Sequence, residues 1–267
     1  APEEAKVSVF DRGFMFGDAV YEVLAVYMGK IFLLEAHLAR LNRSLEAISL
    51  SSPYDDQTWC SLLKAAVDKS GEGHGHLYLQ VTRGVGAARS PIYSYEVEPT
   101  VLITMTPAPA HSEKEPLRVV TKQDYRWQRA DIKVTSLVAN ALLKNGALDQ
   151  GYDEAILVRD GLVTEATFAN IFIVKDGVIL TPPRSHLLLH GVTRDHILTL
   201  AQQAGIPVEE REILEGELLE ANEAWISSTG NEIRAVIEIN DEAVGDGAPG
   251  EIYQKLDLLF QASKSVR

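Results

Sequence analysis

The chain has 267 residues, 46% hydrophobic and 24% charged, and its 25 basic and 38 acidic side chains leave a net charge of −13. This is a globular composition with material for a sizeable core, long enough for one large domain or two small ones. So acidic a chain repels nucleic acid and anionic membranes, which argues against both as partners and requires any anionic ligand to be held by local cations.

In chain order, residues 7–10, 19–27 and 30–34 alternate and predict strands, the last two joined by a turn at Met28-Gly29. Apolar residues at 38, 41, 45 and 48 predict a helix over 35–50, and a second runs over 57–69 after the start signal Ser51-Ser52-Pro53. Strands follow at 76–82 and 100–106. The Pro-rich, charged stretch 108–117 has no period and reads as an interdomain linker. Beyond it come a helix over 136–149 and two hairpins turning at Asp160-Gly161 and Asp176-Gly177. A helix over 193–204, strands at 224–227 and 234–239, and a closing helix over 251–262 complete the pattern. The fold class expected is α+β, with an N-terminal domain over 1–107 and a C-terminal domain over 118–267.

Cys60 is the only cysteine, so no intrachain disulfide can form. That suits a reducing cytoplasm. The first residues carry no basic-then-apolar leader, and no apolar run approaches the roughly 18 residues of a membrane span. The expectation is a soluble, cytoplasmic protein.

Several residues carry candidate chemistry. Lys133 ends the run Asp131-Ile132-Lys133, where the plain alternative is a solvated surface lysine. Glu165 follows a hairpin that should bury one face. A buried lone carboxylate is costly unless a cationic donor meets it, and the alternative is an N-cap or an exposed strand-end acid. Arg40 lies on an apolar-patterned helix, where it either grips an anion or snorkels to pair with Glu35 or Glu46. Gly191-Val192-Thr193 precedes a helix, so its amides point at an anion, or Thr193 is an ordinary N-cap. Gly84 to Arg89 looks like part of a dinucleotide loop but ends in Arg without a clear following helix, which rejects that reading. His74 and His76 have no carboxylate or cysteine partner nearby, so no metal site is expected. The acidic run 209–212 reads as a solvated face.

Seven segments, in order, resemble those of the fold-type IV (class IV) pyridoxal phosphate enzymes. They are Phe10 to Glu22, His37 to Leu41, Gln80 to Gly84, Asp131-Ile132-Lys133, Val163-Thr164-Glu165 with Asn170, Gly191 to Arg194, and Ser227-Ser228-Thr229. The pair Arg126-Trp127 and the stretch Val26 to Gly29 resemble most closely the D-amino acid transaminases within that family.

The resemblance implies a small N-terminal α/β domain and a larger C-terminal β-barrel-like domain with flanking helices. It implies pyridoxal 5'-phosphate as cofactor and a homodimer. It also implies a ping-pong transfer of an amino group from a D-amino acid such as D-alanine to pyruvate or 2-oxoglutarate. Lys133 would form the Schiff base and move the proton. Glu165 would pair with the pyridine nitrogen. Arg40, Thr229 and the amides of Val192 and Thr193 would bind the phosphate, and Arg126 would contact the phenolic oxygen. Asn170 would complete the cofactor set, and Tyr27 and Trp127 would line the substrate pocket.

The Arg-x-His pair that the D-amino acid transaminases carry after Val-Thr-Arg-Gly is replaced by Ala88 and Ser90, which leaves Arg89 and Arg184 as candidates for the substrate carboxylate. Phe168 and Ala169 replace the small hydroxyl residues usual after the glutamate in that subgroup. An opening strand common in the family is expected to be either missing or cropped. Other activities of the fold remain open: branched-chain or (R)-amine transaminase, and aminodeoxychorismate lyase. So does a non-catalytic cofactor-binding protein.

Overall fold

The structure is a computed structural model describing residues 4–109 and 114–265. It divides into two compact units, Ala1–Ala110 with Ile132–Leu137, and His111–Asp131 with Val138–Arg267. The stretch Ile132–Leu137 thus belongs to the first unit, whereas the sequence boundaries assign it to the second. The cause is apolar: Ile132 and Val134, 5% and 8% exposed, enter the buried cluster of Val20, Leu24, Leu41 and Leu79.

The first unit comprises α1 (Arg12–Phe16), β1 (Ala19–Tyr27), β2 (Lys30–Ile31), α2 (Leu34–Ala47), α3 (Asp56–Ser70), β3 (Gly75–Thr82) and β4 (Thr100–Pro107). Its sheet has the order β2-β1-β3-β4, antiparallel throughout. Along β1 the residues Val20, Glu22, Leu24 and Val26 fall on one buried face, as a period of two requires. Leu34, Leu38, Leu41 and Leu45 of α2 join Val20, Leu24 and Val26 in one cluster.

Two expectations from sequence fail here. Residues 7–10 form no strand; Val7 and Val9 are exposed and the Asp11 amide bonds back to the Ser8 carbonyl in a turn. The strand expected over 30–34 ends at Ile31, because Leu33, at φ 54°, turns the chain into α2.

The second unit comprises β5 (Leu117–Gln123), α4 (Val138–Leu148), β6 (Glu154–Arg159), β7 (Leu162–Ala166), β8 (Asn170–Lys175), β9 (Val178–Thr181), α5 (Val192–Gln203), β10 (Val208–Glu210), α6 (Glu215–Leu219), β11 (Glu223–Ser228), β12 (Glu232–Ile239), β13 (Glu242–Ala243) and α7 (Glu251–Ser263). The sheet runs β10-β9-β8-β11-β12-β5-β6-β7, with β13 on β12. β7 ends this path, yet the Ala166 amide bonds to the Ala169 carbonyl just before β8. The sheet therefore curls back on itself around a core of Val119, Ile156, Ile171, Ile173, Ile226 and Val236.

Both Asp-Gly pairs make hairpin turns with positive φ at each residue, 52° and 80° at Asp160-Gly161 and 51° and 78° at Asp176-Gly177, the backbone that glycine favours. β5 was hidden in the sequence by the Pro-rich stretch before it. The expected linker 108–117 overlaps β5 at Leu117, and its residues 110–113 lie outside the described residues. No helix among the described residues is long and apolar enough to cross a membrane.

Candidate active site

The placement of Lys133 follows from its neighbours. Ile132 and Val134 point into the first core, so the side chain between them projects the other way. The Lys133 carbonyl accepts from the Tyr21 amide at 3.0 Å, its own amide donates to Ser44 Oγ at 3.3 Å, and Nζ lies 4.3 Å from the centre of the Tyr21 ring. A cation over an aromatic face is favourable by roughly 0.5–2 kcal/mol. Sequence reasoning missed Tyr21, although its parity on β1, opposite the buried Val20 and Glu22, was a usable signal. Tyr27, expected to line the pocket, shares that parity but lies six residues further along β1, about 20 Å, edge-on to Phe32 at 5.5 Å. The structure does not bring Tyr27 to Lys133.

Arg40 pairs with Glu22, a partner the sequence reading did not name. Its Nε and Nη2 donate to the two oxygens of Glu22 at 2.8 and 2.7 Å, and His37 Nδ1 meets Glu22 Oε2 at 2.8 Å. His37, Arg40 and Ser44 form one stripe of α2, at helical spacing. All three are buried, as is Glu22. Burial pushes the Glu22 carboxyl up, but Arg40 and His37 outweigh it and hold the group at about 2. Burial also lowers His37, with Glu22 opposing and Arg40 and Lys133 reinforcing. Glu22 was the missed residue here: a charge at a core-facing β1 position demands partners.

In the second unit, Glu165 lies inside β7 and is buried. Arg126 Nη1 donates to its Oε1 at 2.6 Å, and Oε2 accepts from the Leu189 amide at 3.1 Å and Asn170 Nδ2 at 3.3 Å. A carboxylate has about four acceptor sites, so one lone-pair position remains beyond these three bonds. Burial raises the Glu165 carboxyl above the usual range, and Arg126 offsets this only in part. At Arg126 the balance reverses: burial would lower it, but Glu165 and Asp124 hold it above its ordinary value. Behind Arg126 stands Asp124, whose carboxylate accepts from the Arg126 amide, Nε and Nη2, each at 3.0 Å. Arg126 thus meets the carboxylates of Asp124 and Glu165.

Asn170 ties Glu165 to the start of α5. Its Nδ2 also donates to the Leu189 carbonyl at 2.8 Å, and a Cβ built on Gly191 would lie 2.0 Å from its Oδ1. Gly191, not Thr193, is the N-cap of α5, and it makes no side-chain cap. Ser227 pairs with Asn170 across β11 and β8, and its buried hydroxyl has no hydrogen-bond partner among the described residues. Thr229 follows two residues later in the turn after β11.

The structure therefore gathers Glu165, Arg126, Asn170, Val192, Thr193 and Thr229 within one unit. Arg184 is exposed and paired with Asp195 in the first turn of α5 at 2.8 Å. In the supposedly solvated acidic run, Glu210 accepts from the fully buried Arg194 at 2.7 Å.

The loop 83–99 between β3 and β4 is held by arginines. Arg12 donates to the Ser90 and Pro91 carbonyls at 2.6 and 3.2 Å, and the Arg83 guanidinium lies 3.9 Å from the Tyr93 ring centre. Arg89 is exposed, 5.3 Å from the Phe16 ring centre, and Trp127 is half exposed.

A sequence profile of the family described as Amino-transferase class IV matches residues 19–239. The chain belongs to this family. A D-alanine aminotransferase of Bacillus licheniformis is 38% identical over 97% of this chain and 92% of its own length. One of Staphylococcus aureus (strain COL) is 37% identical over 98% and 93%. Among solved class IV structures, the branched-chain aminotransferase of Thermoproteus uzoniensis with norvaline superposes with a TM-score of 0.84 at 30% identity, over 99% of this chain and 92% of that one. The T.th. branched-chain enzyme complexed with N-(5'-phosphopyridoxyl)-L-glutamate gives 0.89 at 25%, over 98% and 90%.

Proposed function

We propose that this class IV aminotransferase uses pyridoxal 5'-phosphate to move the amino group of a D-amino acid, such as D-alanine, to pyruvate or 2-oxoglutarate. The observation that carries the reading is Glu165: a buried carboxylate fixed by three donors, with an acceptor position left for a ring N–H. The residues fit the cofactor elsewhere too. The uncapped start of α5, where glycine leaves room beside Asn170, and the unpartnered Ser227 hydroxyl suit a phosphate. The choice of a D-amino acid rests on the D-alanine aminotransferases 37–38% identical to this chain.

In this reading Val192, Thr193 and Thr229 hold the phosphate, with Arg40 contributing from a guanidinium whose plane Glu22 fixes. Arg126 holds Glu165 toward the ring, and in this reading it also contacts the phenolic oxygen. When bound, the cofactor supplies an electron-poor ring that accepts the electron pair left on the substrate α-carbon. Lys133 Nζ would hold the cofactor through its aldehyde carbon and, once the substrate amine displaces it, would be free to take the substrate α-proton and deliver it to that former aldehyde carbon. Glu165 keeps the ring nitrogen protonated. Phe14, Ile92 and Tyr95, 76%, 84% and 79% exposed, are apolar surface suited to a second copy of the chain.

The test offers the holoprotein D-alanine, L-alanine and (R)-1-phenylethylamine in separate experiments without an acceptor. D-Alanine should bleach the cofactor band and yield one pyruvate per site. Bleaching by L-alanine or the amine alone moves the activity elsewhere in the family, and no bleaching by any of the three rejects a transaminase.

A further inference from the structure

Behind Glu165 the chain builds a four-membered charge cluster, of which the proposed amino transfer assigns a role only to Glu165 and Arg126. β5 runs parallel to β6 with Gln123 opposite Val158, and β6 pairs Val158 with Val163 of β7. That register places Asp124, Arg159, Thr164 and Glu165 in one neighbourhood. Arg159 Nη2 lies 3.1 Å from Asp124 Oδ1 and donates to the Arg126 carbonyl at 2.8 Å; Thr164 Oγ1 donates to Asp124 Oδ2 at 3.0 Å.

Two carboxylates and two guanidiniums sum to zero charge. The sharing is uneven. Asp124 takes Nε and Nη2 of Arg126 as a fork, while Glu165 receives only Nη1.

We infer that Asp124 is a positioning residue: it holds and neutralises Arg126, so that Glu165 keeps its negative charge available to the cofactor's ring nitrogen. Were Arg126 balanced by Glu165 alone, its cation would draw that charge to Oε1 and weaken the carboxylate as a partner for the ring. With Asp124 in place, Arg126 orients Glu165 without spending it.

The Asp124 charge makes Glu165 the more basic carboxylate, less readily ionised by itself but a stronger partner for a protonated ring nitrogen. The Asp124 carboxyl is raised by burial but brought below its usual range by Arg126 and Arg159. At Glu165, burial raises the carboxyl, Arg126 lowers it, and the Asp124 charge adds to the rise. The inference rests on the proposed pairing of Glu165 with the ring nitrogen.

The test compares two ligands, pyridoxamine 5'-phosphate and an analogue whose ring nitrogen is replaced by CH, binding to apoprotein. The ratio of their dissociation constants isolates the ring nitrogen. The unsubstituted protein should prefer the nitrogen-containing ligand, and Asp124→Asn should reduce that preference about tenfold, the order expected for one buried charge near the pair. If Asp124→Asn weakens both ligands equally, Asp124 is merely structural and the inference is overturned. If the unsubstituted protein shows no preference, the pairing of Glu165 with the ring fails first. Arg159→Met gives a second reading should Asp124→Asn not fold. Removing that cation leaves the cluster more negative, so the preference should rise, and a preference that does not rise overturns the inference.

Discussion

Arg126 Nη1 and Glu165 Oε1 stand 2.6 Å apart with both side chains almost wholly buried. Their environments treat the two charges differently, lifting the carboxyl above its usual range while favouring the guanidinium's charge. Glu165→Gln keeps the shape and removes the charge. It should lower kcat for D-alanine and 2-oxoglutarate about 100-fold, the scale of losing one preorganised electrostatic partner. Steady-state kinetics with D-alanine decides it, and a change under threefold would remove Glu165 from the chemistry.

Gly191 is a matter of space. A methyl group there meets Asn170 Oδ1 at 2.0 Å. Gly191→Ala should push Asn170 off Glu165 and Leu189, destabilise the protein by about 1–3 kcal/mol and weaken cofactor binding by more than about tenfold. Gly146, inside α4, has nothing within 4 Å of an added Cβ. Gly146→Ala should instead stabilise by about 0.4–1 kcal/mol. Denaturant unfolding of the two variants should give opposite signs.

The buried Glu22 makes acid stability testable. Its folded pKa of about 2 lies below the ordinary 4.5. A depressed carboxyl contributes stability that is complete above the unfolded pKa and lost as pH falls toward the folded one. The 2.5-unit gap between those values corresponds to about 3 kcal/mol. Unfolding free energies between pH 6 and pH 2.5 should decline for the unsubstituted protein, and Glu22→Gln should start lower and decline less. Parallel pH curves would mean that the Glu22 cluster contributes nothing of the kind.

Tyr21 and Tyr27 separate the structure from the sequence reading. Tyr21→Ala, which removes the ring under Lys133 Nζ, should lower kcat/KM about tenfold. Tyr27→Ala should change it by less than about twofold, given the roughly 20 Å between the two along β1. The reverse ranking would restore Tyr27 to the substrate pocket.

Local signals in the sequence were enough for much of this. The Asp-Gly hairpins and the helices at α2, α3 and α5 all follow from period and turn chemistry. What eluded the sequence depended on register between distant segments. Glu22 reaches Arg40 only because β1 lies under α2. Asp124, Arg159 and Thr164 meet only because β5, β6 and β7 are neighbours in one sheet. Residues 7–10 failed for the opposite reason, since alternation predicts a strand but cannot supply a partner for it.

The covalent attachment at Lys133 is the claim on which the rest depends. Holoprotein reduced with borohydride and digested should yield one modified peptide, with the phosphopyridoxyl group on the ε-nitrogen of Lys133. A label on any other amine, or none, would contradict the account.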